Sequence, residues 1–150
     1  MRVVLQKVQK ASLIINGKQH ADIGMGLVVL LGIEHADEAD DIDWLAGKIA
    51  RLRVFDDENG VMNLSVQDVG GTLMVVSQFT LHASTKKGNR PSYIKAARPD
   101  HAIPIYETFI EKLKEESGCK VVSGVFGAYM QISLVNDGPV TISIDSKNKE

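Results

Sequence analysis

The chain reads as an α+β fold: a mostly antiparallel, barrel-like β-sheet core with two covering helices in a single domain. Short β-branched runs separated by turn residues recur at both ends of the sequence. Two stretches, beginning near Asp37 and Asp100, carry apolar residues at spacings of three and four. The resulting order is strands, helix, strands, helix, strands, without repeat, linker or low-complexity stretch. A length of 150 residues, 44% apolar and 24% charged, suits one domain over 1–150 that closes in a polar tail over 145–150.

Val3–Ala11 and Ser12–Ile15 are strand material, turned back at Asn16-Gly17, a pair that tolerates the positive φ a tight hairpin demands. Gly26–Ile33 is an unbroken apolar run, the mark of a strand buried on both faces. Asp37 is placed to cap a helix running to about Arg51, with Ile42, Leu45, Ile49 and Leu52 as its apolar stripe and an acidic first turn that suits the dipole. Asp56–Gly60 is a turn but not a calcium loop: counting back from Gly60 puts Phe55 at the first ligand position and Val66 at the last. Thr72–Leu81 is the next strand, and His82–Pro99 is a long loop rich in Lys, Gly, Pro and Ser. Asp100 then caps a second helix whose Tyr106, Phe109 or Ile110, and Leu113 share a face, ending at Gly118. Val121–Val125, Tyr129–Val135 and Val140–Ile144 supply the last strands, and Ser146–Glu150 is a frayed end. Between the final two, Gly138-Pro139 reads on its own as a hairpin turn, since proline cannot donate to a ladder.

Composition narrows the function. The longest apolar run, Leu27–Ile33, falls far short of the roughly 20 residues of a membrane helix, and the N-terminus has no cleavable apolar stretch, so the expectation is a cytoplasmic protein without membrane contact. Cys119, the single cysteine, can form no internal disulfide and reads as core. A net charge of −2 argues against nonspecific coating of nucleic acid, but charge is local. Lys86, Lys87, Arg90, Lys95 and Arg98 stand in a stretch with no acidic residue, where they either meet phosphates or are simply solvated.

Conventional catalytic sets are hard to assemble. No G-x-S-x-G elbow surrounds Ser77 or Ser84, and His20, His35, His82 and His101 lack a second ligand at helical spacing, so neither a serine triad nor a metal site is expected. Thr80, at the end of a strand, is the best hydroxyl nucleophile by position, and equally a threonine chosen for β-propensity.

Ser77-Gln78-Phe79-Thr80-Leu81 and Asn136-Asp137-Gly138-Pro139-Val140-Thr141 together make the chain resemble the D-aminoacyl-tRNA deacylase family. The resemblance runs the full length, through Lys10-Ala11-Ser12, Ile23–Leu30, Met62-Asn63-Leu64-Ser65, Lys87–Ser92 and Phe126-Gly127-Ala128. It implies a homodimeric, cofactor-free hydrolase of chiral proofreading in translation, acting on D-aminoacyl-tRNA and not on DNA. The site residues it implies are Ser77, Gln78, Phe79, Thr80, Gly138 and Pro139, with Lys87 and Arg90 holding the acceptor stem. It further implies that the terminal 2′-OH of the tRNA assists the attacking water and that a cis Gly138-Pro139 bond enters the neighbouring subunit's pocket. There it would reject L-aminoacyl groups while passing glycyl-tRNA mischarged on tRNA-Ala. Phe79 is open to a core role, with Gln78 the better ligand contact. Lys7, His82-Ala83-Ser84 and Tyr129 depart from the usual pattern, which bears on tRNA preference and dimer contacts. A non-catalytic RNA-binding module and a Thr80-dependent esterase are the alternatives.

Overall fold

Arg2–Ile15 forms one unbroken strand, β1, in a computed structural model that describes residues 1–150. The expected break at Ala11 is absent because β1 is paired on both edges. Along its first half it runs antiparallel to β3 (Gly26–Gly32), along its second half to β2 (Lys18–Ile23), and along its whole length to β8 (Met130–Asp145). The turn between β1 and β2 has Asn16 at φ 51 and Gly17 at φ 73, the double positive φ that the dipeptide predicts. β6 (Thr72–Ser77) joins β3 in parallel, and β7 (Val121–Ser123) joins β6 in parallel, giving the order β2-β1-β3-β6-β7. The free ends approach each other: His20 Nε2 on β2 lies 3.1 Å from the Ser123 carbonyl on β7, nearly closing the sheet into a barrel.

Antiparallel pairings predominate, as predicted, but two pairings are parallel. Each needs a helical crossover, α1 (Ala39–Arg51) between β3 and β6 and α2 (Pro99–Ser117) between β6 and β7. The short ribbon of β4 (Phe55–Asp56) and β5 (Met62–Leu64) lies within the first crossover. Both helices cover one face of the sheet. Leu27, Val29 and Leu31 of β3 pack with Ile42, Leu45 and Ile49 of α1 and with Tyr106, Phe109 and Leu113 of α2, while Val28 faces the smaller barrel interior with Val8, Leu13, Met74 and Val76. β3 is therefore buried on both faces, and the helix stripes read from the sequence are buried except for Leu52, which caps the end of α1 and is half-buried.

Several boundaries move. Glu38, not Asp37, caps α1 through a capping box with Asp41, and Arg98 precedes Pro99 at the start of α2, leaving Asp100 inside the first turn. Asp37 is taken up elsewhere: its carboxylate accepts from the Met1 ammonium and from the Glu34 amide. Val121–Val125 shortens to β7, and Cys119 sits before it, half-buried, its thiol pushed up by burial. The tail is anchored where fraying was expected. Ser146 is buried, accepting from the Met1 ammonium at 2.8 Å and donating to Asp41 at 2.6 Å, and Lys147 Nζ donates to Asp41 at 2.6 Å.

The largest correction concerns Gly138-Pro139. No hairpin turn is present: β8 is continuous from Met130 to Asp145, and its two halves pair with the two halves of β1. Thr141 faces Gln6 and Asn136 faces Val8, so Asp137–Val140 bulge out opposite Lys7. A bulge of this kind accommodates proline in a strand, because the ladder is interrupted there anyway.

Candidate active site at the end of strand β6

β6 ends at Ser77, four residues earlier than its apolar run predicts. The Gln78 amide makes a last bond to the Leu31 carbonyl at 2.7 Å, after which Phe79–His82 wind into a single 3₁₀ turn closed by Leu81 N–H to Gln78 O (3.2 Å) and Ala83 N–H to Thr80 O (3.0 Å). Phe79 and Thr80, expected at the end of the strand, therefore lie in the turn that follows it. Two features fix the turn on the sheet. Arg2 Nη1 donates to the Leu81 carbonyl at 3.2 Å while its Nε donates to Asp145 at 2.8 Å. Gly32, at the end of β3, leaves room for it: a Cβ there would stand 3.0 Å from both the Gln78 carbonyl and the Leu81 side chain.

The turn opens a cleft of about 280 Å³ between Ser77-Gln78-Phe79 and the segment Phe126–Ile132. Val76, Phe126, Met130 and Ile132 give it apolar walls, with Ser77 and Gln78 as the polar side chains. Phe79 is 54% exposed, which rules out the core role, and it meets the Tyr93 ring edge-on at 5.0 Å. Phe126 is supported from below by Tyr106, whose ring lies edge-on at 5.7 Å. Burial, opposed by a weaker contribution from Ser123, pushes the Tyr106 phenol up to about 12, and its hydroxyl donates to the Val75 carbonyl at 3.0 Å. Tyr106 thus stays neutral and ties the cleft wall to β6.

Thr80 Oγ1 accepts a hydrogen bond from the Gln78 side-chain amide. An amide cannot take up the hydroxyl proton, so this contact orients Thr80 without activating it as a nucleophile. His82, two residues on, is buried and bonds to nothing in the chain through either ring nitrogen.

Lys87 and Arg90 are exposed at the tip of a loop closed at its base by paired bonds between Ser84 and Ser92, at 2.8 and 2.9 Å. Tyr93, immediately beyond that closure, joins the loop to Phe79. Gly138 and Pro139 are exposed, their peptide bond is cis, and Gly138 adopts φ 132. They stand apart from the cleft within one chain. Leu31, the neighbour of Ser77, pairs with Val3, whereas the bulge lies opposite Lys7, about 13 Å farther along β1 at about 3.3 Å per residue and on its other edge. Lys7 itself is buried, its ammonium 5.8 Å from the centre of the Phe55 ring and 3.8 Å from Asp56. Of the cleft residues beyond Phe126-Gly127-Ala128, Met130 and Ile132 look in sequence like an ordinary strand start, and Tyr129 stands out there only as a departure from the family pattern, without a place in the site.

A family described as D-Tyr-tRNA(Tyr) deacylase matches residues 4–145. Proteins named D-aminoacyl-tRNA deacylase from Flavobacterium johnsoniae and Parabacteroides distasonis are each 63% identical over 150 residues, covering 100% of both chains. Among solved structures, one titled c-Myc DNA Unwinding Element Binding Protein superposes with a TM-score of 0.90 at 40% identity, covering 97% of this chain and 98% of its own. A probable eukaryotic D-amino acid tRNA deacylase shares the fold, with a TM-score of 0.81 at 18% identity over 95% of this chain and 97% of its own.

Proposed function

The chain belongs to the D-Tyr-tRNA(Tyr) deacylase family, a family of hydrolases, and from that premise we propose that the Ser77–Phe79 cleft receives the 3′ end of a D-aminoacyl-tRNA and cleaves its ester without a protein base. The observation that carries this reading is Thr80: its hydroxyl is held by an amide, so the best-placed nucleophile has no general base. Water then attacks the ester carbonyl, assisted by the neighbouring 2′-OH of the terminal adenosine. The tetrahedral oxyanion is met by amides and side chains at the Ser77–Phe79 turn, the bond to the 3′ oxygen breaks, and that oxygen leaves with a proton.

Chiral rejection on this reading comes from a second copy of the chain. The Gly138-Pro139 bulge is exposed and stands apart from the cleft of its own chain, and on this reading it enters that of a partner in a homodimer. Carbonyls set against the substrate Cα leave space for hydrogen alone on one side, which excludes L side chains and cannot exclude glycine. Lys87 and Arg90 would hold acceptor-stem phosphates.

The deciding experiment compares D- and L-aminoacyl forms of one tRNA, each ending in adenosine or 2′-deoxyadenosine. The D form with an intact 2′-OH should be cleaved, the L form spared, and the deoxy D form bound but cleaved poorly. Full-rate cleavage of the deoxy substrate would overturn the substrate-assisted mechanism and return the chemistry to Thr80.

A further inference from the structure

The mouth of the cleft exposes more ring surface than folding requires. Tyr129 is 80% exposed and Phe79 is 54% exposed, although both border the same cavity. Phe79 has the Tyr93 ring against it, whereas the Tyr129 ring pairs with no other aromatic ring of the chain. The Tyr129 backbone is well fixed all the same. It lies between Gly127, which turns the chain at φ 76 with Ala128 N–H bonded to the Val125 carbonyl at 3.1 Å, and Met130, where β8 begins. A large apolar surface left in water on a rigid backbone at the rim of a cleft marks a place where a ligand group is met.

We infer that Tyr129 is a specificity-determining residue, contacting the side chain of the D-amino acid and favouring large apolar and aromatic side chains over small ones. The inference rests on the D-aminoacyl reading of this cleft. A filter built on exclusion selects hand and is indifferent to size, since it touches only the forbidden side of Cα. The permitted side chain leaves toward solvent, and the rim is what it passes. There an aromatic or branched side chain loses water-exposed area against the Tyr129 ring, while the methyl group of D-alanine is too short to do so. The phenol hydroxyl is not needed for this contact; the ring is.

A competing occupant of the same rim is a purine of the tRNA 3′ end, stacked between Phe79 and Tyr129. It predicts a different pattern, because a base contact is the same whatever amino acid is attached. The test charges one tRNA with D-phenylalanine and with D-alanine and compares kcat/KM for the parent, Tyr129→Ala and Tyr129→Phe. Thermal unfolding of each variant serves as a check on folding. Tyr129→Ala should lower the D-Phe to D-Ala ratio about five- to tenfold, the size of one aromatic pair contact, and Tyr129→Phe should restore it. An unchanged ratio overturns the inference, and equal loss on both substrates overturns it in favour of the base. Failure of the parent on both D substrates would instead remove the deacylase reading of the cleft, and the inference with it.

Discussion

Gly138 combines two constraints that no other residue type meets together. Its φ of 132 lies in a region L side chains rarely adopt, and a Cβ would stand 2.9 Å from Val140 Cγ2 and 3.0 Å from the Val140 amide. Gly138→Ala should therefore shift the bulge while leaving β8 paired to β1 on either side. The expected outcome is a folded protein with at least tenfold lower deacylation of D-aminoacyl-tRNA, checked by kcat/KM beside a circular dichroism spectrum. Mixing it with an inactive Gln78 variant should restore part of the activity if each site draws on two chains, and no restoration from any mixture would sink the composite site. Thr80→Val separates the remaining mechanisms. Losing a hydroxyl that only receives an amide bond should reduce kcat by less than about tenfold, against the far larger loss expected of a true nucleophile.

At the scale of elements, the Ser84–Ser92 closure makes the basic loop a unit of its own, tied to the fold by backbone bonds at its base and by Tyr93 rather than by core side chains. Lys87→Glu with Arg90→Glu should weaken tRNA binding without lowering the unfolding temperature, and the slope of log affinity against log salt should become shallower by about one to two. Unaltered affinity at every salt concentration would reduce the loop to solvated surface. The elements that were legible in the sequence are those specified by short-range chemistry: the Asn16-Gly17 turn, the two apolar stripes, the doubly buried β3. Those that were misread depend on distant partners. Nothing within Thr72–Leu81 tells that β3 ends at Gly32 and that the chain must there fold over it. Nothing around Gly138-Pro139 tells that a β1 long enough to pair both flanks lies more than a hundred residues away. The motif residues are legible through resemblance, and Tyr129 through its departure from it, but that Tyr129 stands on the rim of the cleft is visible only in the fold.

For the molecule as a whole, the ends of the chain converge on one buried polar cluster. Burial of the Asp41 carboxyl favours its neutral form, but hydrogen bonds from Lys147, Ser146 and the Glu38 amide, together with the N-terminal ammonium, outweigh it and lower the group from 3.8 to about 2. A carboxyl depressed on folding adds stability above its unfolded value and loses it as pH falls through its folded one. Asp41 should therefore contribute about 2 kcal/mol at neutral pH, lost between about pH 4 and pH 2. Urea midpoints across that range should fall for the parent, and Asp41→Asn should be less stable at pH 7 yet flatter with pH.

The pairing of Arg2 with Asp145 has a mechanical consequence. β1 and β8 start and finish at the same end of the molecule, so force applied at residues 2 and 145 acts across their ladder and peels it rung by rung, whereas force along a ladder must shear every bond at once. Held in this way, the protein should yield at low force, and the interruption at Lys7 should divide its rupture into two stages, the half from Arg2 to Gln6 opening before the half from Val8 to Ile15.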